Sequence, residues 1–592
     1  MKLRHLLFGL LAGVAFVACT NDDDPASVSP VNGGDKVATA EKSYMKVNFV
    51  MPGGADTRAD DAVFEAGSTD ENQVNNGVLF FFDGKTQVAD PFIIDKNNPT
   101  WTAEEEGTNI NIEKKSGIII VLENPLKNPT SVVALLNADL KVVTNRPNGT
   151  DAEVKDALKA MTLDELKKVV SDFATGLTTS GKFVMSSSAY NEAENKIAAK
   201  IPADKIFDER SKAKDAASVK IPVERVVAKV EVNTANPTQN LANADTESGE
   251  AASNKVKIVN AQGEIEEVEL TAVIKGWWLD NTASTSLLLK DITGMDPADN
   301  DGNADPTDPN NHMRSYWANP VPGTLKHSAW KVADTETMAL PQYIQENVAS
   351  TDEATKDNNY NATQVVVAVQ LMNGNTPIQL VKYLGKLYTQ DGFNTKAINV
   401  LAHKYFVEDG NSYKTVSASD FKVTYVYSKV EGEGEAATTK YYTIAANGAE
   451  TAVTIPTGVT IPELKSYQVY TLIEKANADD VFYVKNDAGA YKEATAAEVT
   501  ADLKGYTVQK WNDGMAYYFT AIKHDDTRKA VIRNHVYKVK VNSINGLGTP
   551  VPFTDSEEII PIIPENKETY ISAEIDILAW KIVENNVDLT AN

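Results

Sequence analysis

The sequence has almost no cysteine and few histidines. Among 592 residues, Cys19 is the only cysteine, and the six histidines are scattered without the spacing of zinc ligands. Disulfides, thiolate zinc sites and a cysteine nucleophile are therefore not expected. The sequence also lacks a nucleophile elbow, a P-loop and a dinucleotide fingerprint. We predict neither a catalytic residue nor a cofactor.

Positive charge is scarce as well. Acidic side chains outnumber basic ones by 82 to 57, which gives a formal net charge of −25. This charge argues against nucleic acid and against an anionic membrane surface as partners. After the first residues, no run approaches the ~20 apolar residues of a membrane helix. The apolar fraction of 42% is ordinary for a globular protein, and the length predicts two or more domains.

The cysteine closes an N-terminal apolar run. Lys2 and Arg4 precede the run Leu6–Ala18, which is too short to span a bilayer and has the form of a secretory signal. A cysteine directly after this run indicates a lipoprotein signal peptide, residues 1–18. We expect Cys19 to receive the lipid, palmitate included. The alternative is an ordinary signal peptide with an incidental cysteine.

Three aspartates, Asp22, Asp23 and Asp24, follow the cysteine. A short acidic run at this place resembles the surface-export signal of Bacteroidales lipoproteins. The alternative is a solvated tether, which is what a charge run usually forms. The two can coexist, and we expect a surface-exposed protein.

Most of the chain predicts β-structure. Short β-branched and apolar runs are separated by Gly, Asn, Asp and Pro, which favours antiparallel sandwiches over alternating β-α units. Examples are Val78–Phe82, Ile118–Leu122, Val132–Leu136, Phe183–Met185, Val226–Val232, Val365–Val369 and Val536–Val541. One segment, Asp151–Ala174, has helical spacing, and a possible capping box at Thr162 and Glu165 would divide it into two helices. The predicted fold class is mainly all-β with a short helical insertion.

Two polar stretches interrupt the strands. Ala235–Ser253 is the best candidate for a domain boundary or a large loop, and Asp296–Asn311 is an acidic loop. The acidic loop contains a weak calcium motif at Asp299, Asp301, Asn303 and Asp305. The glycine, Gly302, falls at position 4 of the motif instead of position 6, and Asn310 stands where a calcium loop has its final glutamate. We therefore expect a solvated loop and no metal.

The first predicted strand is Tyr44–Met51. Met45, Val47, Phe49 and Met51 alternate with polar residues and lie on one face. At ~3.3 Å per residue the strand is about 26 Å long. Burial of four such side chains contributes roughly 6–12 kcal/mol, which is comparable to the roughly 5–15 kcal/mol that holds a domain together.

The composition of Pro52–Asp61, which follows this strand, predicts an exposed loop. It contains Arg58, followed by Ala59. A trypsin-like protease would meet this arginine first, because the next one, Arg146, precedes Pro147. The alternative is a plain loop arginine without a role.

The chain ends in a second alternating segment. Its apolar positions are Ile571, Ala573, Ile575, Ile577, Trp580, Ile582, Val583, Val587 and Leu589. Chain ends usually fray, so a strand this late requires a partner. The ordinary alternative is a strand that completes its own sheet.

Several short segments, in this order, extend over nearly the whole chain. They are Phe16–Cys19, Thr57–Ala59, Val133–Asn137, Phe183–Ser187, Val223–Val230, Gly276–Leu279, Arg533–Tyr537 and Trp580–Leu589. Together with the two terminal strands they resemble the fimbrillins of Bacteroidales, specifically the major subunit of the minor (short) fimbriae, in the type V pilus class. The resemblance implies two transthyretin-like β-sandwich domains, residues 59–237 and 238–592, after a propeptide of residues 19–58.

The resemblance also implies an assembly mechanism. An arginine-specific protease cuts between Arg58 and Ala59, Tyr44–Met51 leaves, and residues 571–589 of a neighbouring copy fill the groove. An emptied groove has unpaired backbone groups that an added strand satisfies, and a head-to-tail contact gives a filament. The expected product is a surface fimbrium for adhesion and biofilm formation, with accessory anchor and tip subunits. The precursor would be lipid-anchored in the outer membrane.

Three alternatives remain open: a monomeric surface lipoprotein that binds glycans, a fimbrial anchor or tip subunit, and a lipidated glycoside hydrolase. A glycan-binding module could use Trp277 and Trp278, but adjacent strand residues point to opposite faces, so we expect one core and one edge tryptophan. A pair of carboxylates is inevitable among 82 and proves no hydrolase. Only polymerisation uses the early strand, Arg58 and the terminal strand together.

Overall fold

The computed structural model of the chain describes residues 42–52, 68, 71, 74–95, 105–106, 112–123, 127–172, 183–188, 197–233, 236–242, 254–291, 325–326, 341–348, 362–431, 438–444, 450–465, 467–524, 529–552, 570–578 and 583–585. All of these residues belong to one unit, residues 41–592. Strands dominate and helices are few, which confirms the predicted all-β, sandwich-like fold class.

The strands are short and numerous, as the punctuated apolar runs predict. In chain order they are β1 Lys42–Pro52, β2 Asn76–Asp83, β3 Thr86–Asp95, β4 Glu105–Glu106, β5 Ile112–Glu123, β6 Ser131–Leu136, β7 Val170–Asp172, β8 Met185–Ser187, β9 Ala199–Lys200, β10 Val219–Arg225, β11 Val227–Asn233, β12 Thr238–Asn240, β13 Lys255–Val259, β14 Ile265–Asp280, β15 Thr282–Ala283, β16 Thr285–Leu287, β17 Leu325–Lys326, β18 Gln342–Gln345, β19 Asn347–Val348, β20 Gln364–Asn373, β21 Thr376–Pro377, β22 Leu380–Tyr383, β23 Lys386–Thr389, β24 Phe406–Asp409, β25 Ser412–Thr415, β26 Phe421–Glu431, β27 Thr438–Ile444, β28 Glu450–Ala452, β29 Gln468–Lys475, β30 Tyr483–Lys485, β31 Tyr491–Glu493, β32 Thr507–Trp511, β33 Met515–Ala521, β34 Ala530–Val531, β35 Val536–Asn545, β36 Thr549–Pro550, β37 Tyr570–Leu578 and β38 Val583–Asn585.

The α-helices of the described residues lie between these strands. They are α1 Leu140–Val143, α2 Asp151–Ala160, α3 Leu163–Leu166, α4 Arg210–Asp215, α5 Gln390–Ala402 and α6 Ala496–Asp502. Single 3₁₀ turns cover Ala203–Lys205, Ala418–Asp420 and Asn512–Gly514. None of the described helices has the length and apolar character that a membrane-crossing helix needs.

The first sheet has the strand order β3-β2-β6-β8-β10-β1-β5-β4. Strands β2 and β6 are buried at nearly every position, so both of their faces are covered. The apolar side chains of this sheet form a first buried cluster, which extends along the chain from Met45 to Val227 and includes Leu288 and Leu289.

The second sheet, β18-β11-β35-β37-β38, packs against β14, β20 and β33 of the largest sheet. A second buried cluster fills the space between them, with Val230 from β11, Val539 from β35 and Tyr518 from β33 among its members. This arrangement is the two-layer packing of a β-sandwich.

The largest sheet is buried on both faces near its centre. Along β20, Val365, Val367 and Val369 join the second cluster, whereas Val366 and Ala368 join a third cluster on the opposite face. This split follows the two-residue period of a strand. Helix α5 covers part of the third cluster.

The tryptophan pair of β14 obeys the same period. Trp277 lies in the second cluster and Trp278 in the third, with relative exposures of 2% and 5%. The prediction of an edge tryptophan is wrong, because a packed layer covers each face of this strand. Neither ring can therefore offer a face to a sugar.

The predicted helical insertion is present as α2 and α3. The capping box at Thr162 and Glu165 separates the two helices, as predicted. The predicted range extends too far, because Val170 begins β7, which pairs with β16. The prediction also misses α5, whose Thr389 caps the helix and whose Phe393 and Leu401 are buried.

The predicted boundary stretch Ala235–Ser253 contains β12, which pairs with β14. Most members of the first cluster precede residue 228, and the second cluster begins there. The division into domains 59–237 and 238–592 stays a prediction. The weak calcium motif, Asp299 to Asp305, lies outside the described residues.

Candidate functional site

The first predicted strand is present as β1, inserted between two other strands. It pairs antiparallel with β5 along most of its length, with Lys42 opposite Glu123 and Val50 opposite Lys115. On its other side it pairs in parallel with β10, with Val47 opposite Val219. Residues distant in sequence therefore hold this strand on both edges.

The side chains of β1 alternate as the sequence predicts. Met45, Val47 and Phe49 are buried, with relative exposures of 0%, 0% and 1%, and they belong to the first cluster. At roughly 1.5–3 kcal/mol for each buried side chain, the three contribute about 4.5–9 kcal/mol. The side chain of Met51 lies outside the described part of the chain. Removal of β1 stays a prediction, but its loss would leave a large apolar groove.

Backbone contacts extend the hold on β1 beyond these ladders. The amide of Tyr44 donates to the carbonyl of Phe207 at 2.7 Å, and the amide of Phe207 donates to the carbonyl of Tyr44 at 2.8 Å. The half-exposed Lys46 donates from Nζ to the carbonyl of Lys214 at 3.3 Å. The N-terminal half of β1 is therefore held by residues near α4 as well as by β5.

The predicted C-terminal strand is present as β37 and occupies a place in its own sheet. It pairs antiparallel with β35, and β38 pairs with its other side. Ile571 lies opposite Ile544, Ile575 opposite Val539 and Ile577 opposite Tyr537 in this register.

Those β35 partners are buried, so the register follows the apolar alternation of the sequence. Of the remaining predicted donor residues, Ala573 lies on β37 and Val583 on β38. Trp580, Ile582, Val587 and Leu589 lie outside the described residues. So do Cys19, Arg58 and Ala59.

A cluster of buried charged and polar groups connects β10, the partner of β1, with the residues before β35, the partner of β37. This charged junction consists of Glu71, Arg225, Lys229, Tyr343 and Asn534. The Tyr343 hydroxyl donates to Glu71 Oε1 at 2.6 Å, and Lys229 Nζ lies 3.4 Å from the same oxygen. Arg225 donates from Nε to the carbonyl of Glu71 at 3.0 Å and from Nη1 to Asn534 Oδ1 at 3.1 Å. The junction thus links β10, β11 and β18 with the residues that precede β35.

The carboxylate of Glu71 is ionised in this setting. Burial alone would raise the pKa of Glu71, but the hydrogen bonds from Tyr343 and Ser68 and the charges of Lys229 and Arg225 outweigh it. The net effect holds the pKa of Glu71 below its ordinary value. Burial and the bond to Glu71 raise the pKa of the Tyr343 hydroxyl, which stays protonated.

Two more buried ion pairs lie beside the junction. Arg533 donates from Nε to Glu346 Oε2 at 2.7 Å and from Nη1 to the carbonyl of Leu288 at 3.0 Å. Lys290 Nζ lies 3.0 Å from Glu224 Oε1, with side-chain exposures of 4% and 3%. Removing one partner of such a pair is costly because it leaves the other charge buried and unpaired.

The junction is not predicted from the sequence, although Arg225 and Asn534 lie in segments that carry the family resemblance. The only local signal is a buried charge in the middle of an apolar run, such as Glu224-Arg225 between valines. Among the described residues, no group of three His, Cys, Asp or Glu side chains is placed to hold a metal ion. The described arrangement therefore offers strand pairing and charge pairing as its chemistry.

Phe49→Ala tests the burial of β1. We expect the variant to lower the free energy of unfolding of the full chain by about 3–5 kcal/mol, because it empties a packed position. Lys46→Ala on the polar face is the matched control, with an expected loss below about 1 kcal/mol. Urea unfolding followed by tryptophan fluorescence measures both. Equal losses would contradict the burial of this face.

Glu71→Gln tests the ionised state of the junction. The folded-state pKa of Glu71 is lowered from 4.5, so its contribution is complete above that pH and disappears as the pH falls through the lower folded value. The stability difference between wild type and variant should be about 1–3 kcal/mol at pH 7 and should shrink below about pH 4.5. Urea unfolding at a series of pH values measures it.

Glu165→Gln is the control for this titration, because Glu165 has the same capping-box position but an exposed side chain. Its substitution should give a smaller difference than Glu71→Gln. A Glu71→Gln difference that stays constant down to pH 3 would show that the carboxylate charge contributes nothing.

Comparison with known protein families gives one match, at the C-terminal end. Residues 509–586 match the family model described as "Major fimbrial subunit protein type IV, Fimbrillin, C-terminal". This range includes β35, β37 and β38. No curated protein matches the chain. The C-terminal part of the chain is thus similar to that of a major fimbrial subunit, which supports a fimbrial role.

Proposed function

We propose that this chain is the stalk subunit of a surface fimbria and polymerises by proteolysis-triggered donor-strand exchange. The observation that carries the proposal is the place of β1, inserted between β5 and β10 with Met45, Val47 and Phe49 buried. A strand in this position can leave only by opening a groove with two polar backbone edges and an apolar floor. The fimbrillin match at residues 509–586 supports the fimbrial role independently.

In the proposed sequence of events, the precursor reaches the outer membrane with its lipid on Cys19. An arginine-specific protease cuts between Arg58 and Ala59 and separates β1 from the mature chain. The opened groove exposes backbone donors and acceptors of β5 and β10 that β1 had satisfied. The subunit then requires a new strand in the groove.

The proposed donor is the C-terminal segment, residues 571–589, of a neighbouring copy. Its alternation of apolar and polar residues matches that of β1, so it can fill the same pockets in the same register. Each copy has one groove and one donor, and a contact between these different surfaces repeats without closing. The product is a head-to-tail filament.

The finer features of this proposal come from the resemblance. They are the assignment to the major subunit of Bacteroidales minor fimbriae, accessory anchor and tip subunits, and a role in adhesion and biofilm formation. The glycan-binding alternative is weakened because Trp277 and Trp278 are both buried. An anchor or tip subunit differs from a stalk in keeping β1 or lacking a donor, which the following experiments distinguish.

Arg58→Ala tests the cleavage step. We expect the variant precursor to stay monomeric on incubation with an arginine-specific protease, while the wild type starts at Ala59 and forms heat-labile polymers. Terminal sequencing, intact mass and electron microscopy measure these outcomes. Arg146→Ala, at the arginine before Pro147, is the control and should polymerise normally. Polymers whose subunits still begin at lipidated Cys19 would contradict the proposal.

Ile575→Asp combined with Ile577→Asp tests the donor strand. We expect the double variant to be cleaved but not to polymerise alone, because two charges cannot enter an apolar groove. Its own groove is intact, so adding it to wild-type subunits should shorten the polymers by capping their growing ends. A merely misfolded variant would leave polymer length unchanged. Glu574→Gln is the matched control on the polar positions, and normal polymerisation by the double variant would refute the donor assignment.

A further inference from the structure

The chain between the proposed scissile bond and β2 contains a built turn. Ser68 and Glu71 exchange the two bonds of a capping box: the amide of Ser68 donates to Glu71 Oε2 at 2.6 Å, and the amide of Glu71 donates to Ser68 Oγ at 3.3 Å. Downstream, Val74 is buried and the amide of Asn75 donates to Asn137 Oδ1 at 2.8 Å. Nine residues, 59–67, separate this turn from the proposed cleavage site.

The turn is attached to three strands through Glu71. Tyr343 of β18 and Lys229 of β11 bind its carboxylate, and Arg225 of β10 binds its carbonyl. Glu71 has a relative exposure of 2%, so these contacts are shielded from water. Charge-assisted bonds in such a setting are stronger than bonds between neutral groups.

Strand β10 has a divided role beside β1. Its residues Val219–Pro222 pair with β1, whereas Val223–Arg225 pair with β8. Loss of β1 would therefore leave the first part of β10 without this partner, while the second part keeps both β8 and the bond from Arg225 to Glu71. The turn therefore contacts the part of β10 that keeps its partner, three residues from the part that loses one.

We propose that the Ser68–Glu71 turn anchors the N-terminal part of the mature chain. It holds this part against β10, β11 and β18, so that the loss of β1 does not detach the chain beyond residue 68. This inference rests on the proposed cleavage and removal of β1. Glu71 is a positioning residue in it, because it acts through β10, the strand that borders the groove and carries Arg225. Before cleavage, β1 precedes the turn in the chain and β2 follows it, and both strands are paired in the first sheet. After cleavage, the contacts of Ser68 and Glu71 are what fix its N-terminal side.

The test compares amide exchange before and after the loop is cut. A recognition site for a sequence-specific protease, inserted between Arg58 and Ala59 of the full chain, allows the cut whether or not the native protease uses Arg58. Hydrogen exchange with mass spectrometry is read over residues 74–83 in the wild type, Glu71→Gln and Glu224→Gln. The last is the matched control, because Glu224 is also on β10 and buried, but forms its ion pair with Lys290 and not with a residue of the turn.

We expect the cut to release the β1 fragment and to raise exchange over residues 112–123 in all three proteins. Over residues 74–83, cutting should leave wild-type exchange nearly unchanged and raise that of Glu71→Gln about tenfold or more, since a charge-assisted bond is lost. Glu224→Gln should behave as the wild type in this ratio. The dependence on cutting separates an anchor from a residue that only adds stability.

Two results would overturn the inference. One is an equal cut-to-uncut ratio for wild type and Glu71→Gln, which means that the variant raises exchange equally with and without the cut. The other is retention of the β1 fragment by the wild type after cutting. Failure of the proposed function is distinguishable from these results. It would appear as an intact Arg58–Ala59 bond or absent polymers with the native protease, with the exchange result unaffected.

Discussion

The insertion of β1 between β5 and β10 is the contact on which the first sheet depends. Among the described residues, β5 pairs only with β1 and with the short β4. Strand β5 therefore joins the rest of the sheet through β1. The three buried side chains of β1 add an apolar floor to this backbone continuity. A single strand at the start of the chain thus decides whether the sheet is continuous or divided, which is what a proteolytic trigger requires.

Much of this arrangement is predictable from local sequence, because a strand with one buried face has a two-residue period. Met45, Val47 and Phe49 have that period, and all three are buried. The long apolar run of β20 is also predicted as a strand. Because apolar residues are continuous along it, the sequence shows only that both faces of the strand are apolar. Sequence does not reveal what covers each face. For this reason the prediction that one of Trp277 and Trp278 lies at an edge is wrong.

The charged junction could not be predicted, because its contacts join residues far apart in the chain. Arg225 reaches Glu71 across 154 positions and Asn534 across 309, while Tyr343 reaches Glu71 across 272. In sequence each of these residues is an ordinary polar residue within or beside a strand. Helix α5 is missed for a different reason. It contains a glycine and two asparagines, which are weak helix formers, so its stability comes from packing against the third cluster.

The proposed exchange has a direction that follows from the number of strand partners. Among the described strands, β37 pairs with β35 and with β38, and β38 belongs to the same C-terminal segment, so β35 is the partner from the body of the subunit. A strand in the place of β1 has partners on both sides, β5 and β10. Moving the segment from its place beside β35 to the place of β1 replaces one long ladder of backbone hydrogen bonds with two. It also covers an apolar surface that water would otherwise contact. While β1 is present, that second position is occupied, so in the proposed mechanism the segment stays in its own sheet until β1 is removed.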